Sequence, residues 1–101
     1  MTSITIAAAT GIITITFNAA NVGALAAGQN LIRLNPYIAS TPSGGGAAVF
    51  NELAASYALG VTGALDWACS SVTNATATAR GMDTNIVAGT MLAKYVPSEC
   101  R

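Results

Sequence analysis

The sequence predicts a mainly β fold of the α+β kind: about four antiparallel strands, one short helix and a C-terminal loop closed by a disulfide. Residues 3–6 and 13–17 alternate between apolar and hydroxyl-bearing side chains, which is typical of half-buried strands. The only two cysteines are Cys69 and Cys100, and the second stands one residue from the end of the chain. The length of 101 residues suits a single domain over residues 1–101, with 69–100 as a cysteine-bounded region.

The first two strands are predicted at residues 3–6 and 13–17, joined by a connection at residues 7–11. Alternate side chains of a strand point to opposite faces. The second strand would therefore have one apolar face and one hydroxyl face, formed respectively by Ile13, Ile15 and Phe17 and by Thr14 and Thr16.

A third strand is predicted at residues 31–34, after a loose connection rich in Ala, Gly and Asn at residues 18–30. Pro36 should end this strand, because proline has no N–H to donate to a ladder. A loop follows at Ser40–Gly46, which reads Ser-Thr-Pro-Ser-Gly-Gly-Gly.

A short helix is predicted at Ala47–Leu59, with Gly60 as its stop. Its packing stripe would be Phe50, Leu53 and Tyr57, at the i, i+3 and i+7 positions of a helix face. The alternative is a continued loop in which two aromatic residues act as anchors.

Another strand is predicted to start at residues 66–69, where we interpret Trp67 as core packing. The run at residues 70–78 is rich in Ser, Thr and Ala, and we expect it on the surface in an extended or loop conformation. A turn is expected at residues 80–83, and residues 87–92 should pack beneath the loop.

Composition excludes several classes of function. The chain has no histidine, and its four carboxylates are dispersed along the sequence, so we expect no catalytic, cofactor or metal site and no enzymatic activity. The four basic residues do not form the cluster that nucleic-acid binding needs, and no apolar run is long enough to span a membrane. No signal-peptide pattern follows Met1, so a targeting segment of an exported protein would have been removed or lie on another chain.

The charge content leaves two alternatives open. Only 8% of the residues are charged and the net charge is zero, so little electrostatic repulsion keeps copies apart. We favour a subunit whose surface is covered by copies of itself or by a partner over a small uncharged surface protein. Two cysteines in so short a chain indicate one disulfide if the protein leaves the cytosol, and two buried free thiols otherwise.

The chain resembles a known family in two places. The segments Trp67-Ala68-Cys69 and Tyr95-Val96-Pro97-Ser98-Glu99-Cys100-Arg101 resemble the disulfide-bounded C-terminal region of type IV pilins. The patterns at residues 11–17 and 28–36 look like the first hairpin of a pilin globular head, so the resemblance covers residues 3–101. The long N-terminal helix that covers the sheet in pilins is absent from this sequence.

The resemblance implies a pilin-like head with a Cys69–Cys100 disulfide that acts as a structural subunit of an extracellular type IV pilus. Such filaments serve adhesion, twitching motility, biofilm formation, DNA uptake or secretion, and their subunits pass through the periplasm before assembly. The implied partners are copies of the chain itself and a short N-terminal pilin helix chain, which would dock on Ile13, Ile15 and Phe17. The head of a split pilin and the excised head of an ordinary pilin both fit. Candidate O-glycosylation sites are Thr14, Thr16, Ser70, Ser71 and Thr73.

Two rival interpretations belong to other classes. The first is a secreted, disulfide-stapled β-domain that acts alone in adhesion or binding. The second is a minor pilin or a pseudopilin, which would share the fold and differ in its place in the filament.

Overall fold

The computed structural model of the protein describes residues 3–22, 28–41, 45–46, 49–60 and 62–101. Within these ranges it consists of an antiparallel five-stranded sheet with short helices. In chain order the elements are β1 Ser3–Ile6, β2 Ile13–Thr16, α1 Ala19–Val22, β3 Leu31–Ser40, β4 Val49–Glu52, α2 Leu53–Leu59, β5 Ala64–Ser70, α3 Ala75–Ala79 and the 3-10 helices Ala93–Tyr95 and Ser98–Cys100.

Strand β3 is the centre of the sheet. β1 pairs with β2, and β2 pairs with the first part of β3. β4 pairs with the last part of β3, and β5 pairs along its middle. Some residues of β3 pair with both β5 and β2, and others pair with both β5 and β4. β5 therefore lies on one side of β3, and β2 and β4 lie end to end on the other side. The strands predicted near residues 3–6, 13–17 and 66–69 are confirmed.

The prediction that Pro36 ends the third strand is wrong, because β3 continues through it to Ser40. On the side of β2 and β4, the paired residues of β3 run up to Leu34 and resume at Tyr37. Pro36 therefore lies opposite the gap between two partner strands.

The register explains why a proline is tolerated there. The N–H of Phe17 donates to the carbonyl of Asn30 at 2.9 Å, and ladder bonds of an antiparallel pair recur at every second residue. The backbone groups of residues 32, 34 and 36 therefore point toward this same side. At Pro36 that side has no strand partner among the described residues, so the missing N–H costs no ladder bond.

The predicted helix at residues 47–59 is only partly correct. Residues 49–52 form β4, the helix α2 begins at Leu53, and residues 47–48 lie outside the described part. Residues 49–52 form a strand because they pair with the part of β3 beyond Pro36. The spacing of apolar residues within the predicted helix gives no information about this distant pairing. Tyr57 is 89% exposed, so it does not share a buried stripe with Phe50.

The helix ends at the predicted glycine, and the loop before it begins next to the predicted residue. Gly60 ends α2 in the left-handed conformation with φ 69°, which is the conformation glycine adopts most readily at a helix C-terminus. β3 ends at Ser40, where the loop was predicted to begin, and residues 42–44 of that loop lie outside the described part.

The expectation of a surface loop at residues 70–78 is wrong for much of the segment. Ser70 and Ser71 are fully buried, and residues 75–79 form the helix α3. The turn after α3 is confirmed at Gly81, whose φ is +79°. The expectation that residues 87–92 pack beneath the loop is only partly met, because Met91 is buried against Ile32, Val96 and Cys100 whereas Val87 is exposed.

Two clusters of buried side chains form the core. One lies on the face of the sheet beneath α3 and the segment that follows it, and the other lies where the C-terminal segment meets the start of β3. The first contains Tyr37, Ala68, Ala77 and Met82, and the second contains Ile32, Met91, Val96 and Cys100. The C-terminal third therefore covers the face that carries Tyr37 and also buries Ile32, which lies on the other face at the start of β3.

Candidate functional site

The other face of the sheet is almost entirely apolar. Paired residues of antiparallel strands place their side chains on the same face, so the register defines the members of each face. The register also places the polar residues Ser40 and Asn51 on this face, opposite Val49 and Ile38. We use the name apolar face for its apolar members, which are Ile4, Ile6, Ile13, Ile15, Ile32, Leu34, Pro36, Ile38, Val49, Leu65, Trp67 and Cys69.

The apolar face is exposed on its outer strands, whereas its β3 members Ile32, Pro36 and Ile38 are buried. Among the described residues, eight large hydrophobic side chains are exposed, and five of these belong to the apolar face. Their exposed fractions are 52% for Ile4, 67% for Ile6, 47% for Val49, 51% for Leu65 and 38% for Trp67. Several large apolar side chains exposed on one face of a small domain are typical of an interaction surface.

The three residues predicted to receive the helix differ in what already covers them. Ile13 and Ile15 are half-buried members of the apolar face. Phe17 follows β2 and packs against the core cluster that contains Ile32 and Met91, so this chain already covers part of its ring.

Sequence reasoning missed the members of the apolar face on β1 and β5. The exposure of Trp67 contradicts its interpretation as core packing. The signal was present in the alternation Leu65, Trp67, Cys69, which carries the same period of two that identified β2.

The opposite face is polar toward its centre and is covered by residues 83–91. Asn35, which is 2% exposed, exchanges hydrogen bonds with the backbone of Val87: its Oδ1 accepts from the N–H at 3.0 Å, and its Nδ2 donates to the carbonyl at 3.2 Å. Arg33 Nε donates to Thr14 Oγ1 at 3.2 Å, and its guanidinium also donates to the carbonyl of Ala88. These bonds fix the loop at residues 83–91 on the face opposite the apolar face.

The C-terminal tail is fixed to the end of β5 by a disulfide between Cys69 and Cys100, whose Cα atoms are 4.6 Å apart. Hydrogen bonds add to it, since the carbonyl of Cys100 accepts from the Ser71 hydroxyl at 2.7 Å and from the Ser71 N–H at 3.1 Å. Thr76 binds the same tail through two further bonds, and Arg80 forms a 3.0 Å ion pair with Glu99 at the surface.

The candidate glycosylation residues differ in accessibility. Ser70 and Ser71 are fully buried, and their hydroxyls donate to the carbonyls of Val87 and Cys100. A transferase therefore cannot reach these two in the folded chain, which corrects that part of the expectation. Thr73 is exposed, and Thr14 and Thr16 are half-buried.

Tyr37 is a buried titratable side chain at the centre of the sheet. Burial, followed by the nearby carboxylates of Glu52 and Asp83, raises the pKa of Tyr37 to about 12. Its hydroxyl donates to the carbonyl of Thr84 at 2.9 Å, which ties the loop at residues 83–91 to the sheet. The phenol is therefore a neutral structural donor at physiological pH.

Two other kinds of feature are absent from the part of the chain that the structure describes. No group of three or more acidic or cysteine side chains there could hold a metal ion. Helices of these residues are too short to cross a lipid bilayer.

Comparison with known proteins agrees with this geometry. A family model described as Pilin (bacterial filament) matches residues 1–101. A solved structure of a type IV pilin from Pseudomonas aeruginosa is 40% identical, superposes with a TM-score of 0.84 and matches 99% of this chain. The match spans 63% of that pilin's length, and no curated protein matches the chain. This chain belongs to the pilin family of bacterial filament subunits.

Proposed function

We propose that the chain is the globular domain of an extracellular type IV pilus subunit and that its apolar face packs against an N-terminal pilin helix. The observation that carries this proposal is the concentration of exposed large hydrophobic side chains on the outer strands of the apolar face, namely Ile4 and Ile6 on β1 and Leu65 and Trp67 on β5, which no described segment of this chain buries. A sheet with one uncovered apolar face needs a second layer to bury it.

The dimensions of the apolar face suit one helix. Its outer strands are β1 and β5, three strand spacings apart, which corresponds to about 14 Å at 4.7–4.9 Å per spacing. A helix with its side chains is about 10–12 Å wide. The Pseudomonas pilin extends beyond the matched region by the remainder of its length, which provides room for such a helix in a related chain.

The source of the helix is a separate part of the proposal. We propose a short N-terminal pilin helix chain that associates without a covalent link, and a helix continuous with this chain is the alternative. Intact-mass spectrometry of filaments sheared from the source cells under non-reducing conditions distinguishes the two. A short apolar chain in equal amount indicates the split arrangement, and recovery of these residues only within a longer polypeptide indicates the continuous one.

The same mass spectrum tests two further parts of the proposal. Mass additions would identify O-glycosylation, for which we retain the exposed Thr73 and the half-buried Thr14 and Thr16. Absence of the chain from filaments would favour a secreted β-domain that acts alone in binding.

In the filament, copies of the domain would form the outer layer through heterologous contacts that do not close. A domain with 8% charged residues and zero net charge has little electrostatic repulsion to oppose such packing. We propose adhesion, motility, biofilm formation, DNA uptake or secretion as the roles of the assembled filament, with the periplasm as the compartment before assembly.

A pair of matched substitutions tests the docking surface. Leu65→Asp places a charge on the apolar face, whereas Val72→Asp places it elsewhere at an equally exposed position, since both side chains are 51% exposed. We expect Leu65→Asp to abolish filaments and Val72→Asp to retain them, with both variants secreted and disulfide-bonded. Normal filaments from Leu65→Asp would contradict the proposed docking.

A further inference from the structure

Strand β1 forms an open edge of the sheet. The N–H of Ala7 donates to the carbonyl of Ile12 at 3.0 Å, and the β1–β2 register continues from this pair. Because ladder bonds alternate in antiparallel pairs, residues 3 and 5 also direct their backbone groups toward β2. The N–H and C=O groups of Ile4 and Ile6 consequently point away from the sheet, and all four residues of β1 are exposed.

Strand β5, at the opposite edge of the sheet, carries a charged residue, and β1 does not. On β5, the outward N–H of Trp67 donates to its neighbour's carboxylate, Asp66 Oδ1, at 2.8 Å. A charged residue on an edge strand is a common device against edge-to-edge pairing. β1 reads Ser-Ile-Thr-Ile and has neither charge nor proline, and among the described residues no strand pairs with its outward edge.

The sequence of β1 is complementary to itself in an antiparallel arrangement. With Thr5 opposite the partner's Thr5, Ile4 lies opposite the partner's Ile6 and exchanges both backbone hydrogen bonds with it. This register uses every outward N–H and C=O group of Ile4 and Ile6 in both copies. It also places the isoleucines of both copies on the apolar side and the threonines on the other, so the face proposed to receive the helix stays continuous.

We propose that the open edge of β1 pairs with β1 of a second copy of this chain. The contact is two-fold and isologous, and such a contact closes on itself. Subunits of one helical filament are related by a screw operation with no two-fold axis. Given the proposed function, the β1 pair therefore joins subunits of different filaments and bundles them laterally. Many weak pairs along two filaments add up, because each first contact raises the effective concentration of the next.

Single cysteines test the pairing on the purified chain. Thr5 faces its own copy across the two-fold at a Cα separation of about 4.5 Å, the distance of a non-hydrogen-bonded pair, and this lies within the range for a disulfide. Ser3 is also exposed on β1 and on the same face, but it would lie roughly 14 Å from the partner's Ser3 at about 3.4 Å per residue. It is therefore the matched control.

We expect mild oxidation to convert Thr5→Cys to a covalent dimer with a yield roughly tenfold above that of Ser3→Cys, because only the first pair meets disulfide geometry. Equal yields for the two variants would overturn the proposal. Since this readout needs no filaments, it can fail while the proposed pilus function stands, and the reverse also holds.

Charge substitutions test the consequence for filaments. Thr5→Lys and Thr5→Glu would each place like charges opposite one another, which destabilises a cross-strand pair. We expect filaments of either variant to lie apart in electron micrographs and a mixture of the two to form bundles again. Separate variants that bundle as the unmodified chain does, or a mixture that fails to bundle, would contradict pairing through β1.

Discussion

The buried hydroxyl of Ser71 donates to the carbonyl of Cys100 at 2.7 Å, and the N–H of Ser71 donates to the same carbonyl at 3.1 Å. The residue next to the C-terminus is thus held by two hydrogen bonds as well as by its disulfide to Cys69. The disulfide and the two hydrogen bonds all hold Cys100, so the tail is fixed against the end of β5.

Replacement of Ser71 by alanine removes the shorter of these bonds. We expect Ser71→Ala to lower the free energy of unfolding by about 1 kcal/mol, the net value of a typical buried hydrogen bond. Urea denaturation at neutral pH would measure the change. Ser98→Ala is the control, because Ser98 is an exposed serine of the same tail. A loss no larger than that of the control would show that the hydroxyl bond contributes little.

Removal of the disulfide should have a larger effect. We expect Cys69→Ser and Cys100→Ser each to lower the free energy of unfolding by about 2–4 kcal/mol, because the unfolded chain is no longer constrained by a loop of this length. Denaturation of the oxidised chain and of each variant would measure the difference, and neither variant should assemble filaments. Normal filaments from either variant would contradict the structural role of the tail.

Much of the sheet could be predicted from the sequence because its strands follow a local pattern. The alternation in β1 and β2 depends only on which side chains lie on the apolar face of the sheet, so those strands lie close to where the pattern placed them. The disulfide followed from the presence of only two cysteines and the resemblance of their surroundings to pilins. Local patterns were sufficient where one face of a strand is apolar and the other polar.

Predictions failed where the outcome depended on distant parts of the chain. Pro36 is tolerated in β3 only because two separate strands leave a gap opposite it. Ser70 and Ser71 look like surface residues, yet they are buried because the segment at residues 87–100 returns to accept their hydrogen bonds. The full extent of the apolar face needed the pairing of β5 with β3, which no local pattern contains.

The stability of the fold should depend on the ionisation of Tyr37 at alkaline pH. Its pKa is raised from 10.0 to about 12, so the folded state holds the phenol proton more tightly than the unfolded state does. The stabilisation is fully present below pH 10 and is lost as the pH rises from 10 to about 12. We expect the free energy of unfolding to fall more steeply over this range in the unmodified chain than in Tyr37→Phe. Parallel pH profiles for the two proteins would contradict this assignment.

Trp67 offers the most direct test of the central claim, which is that the apolar face is covered in the assembled filament. It is the only tryptophan of the chain, it lies on the apolar face, and its side chain is 38% exposed. Acrylamide quenching of its fluorescence should be compared between the isolated chain and purified filaments. We predict strong quenching in the isolated chain and protection with a blue-shifted emission in filaments. Equal quenching and unchanged emission in the two samples would show that no helix covers this face.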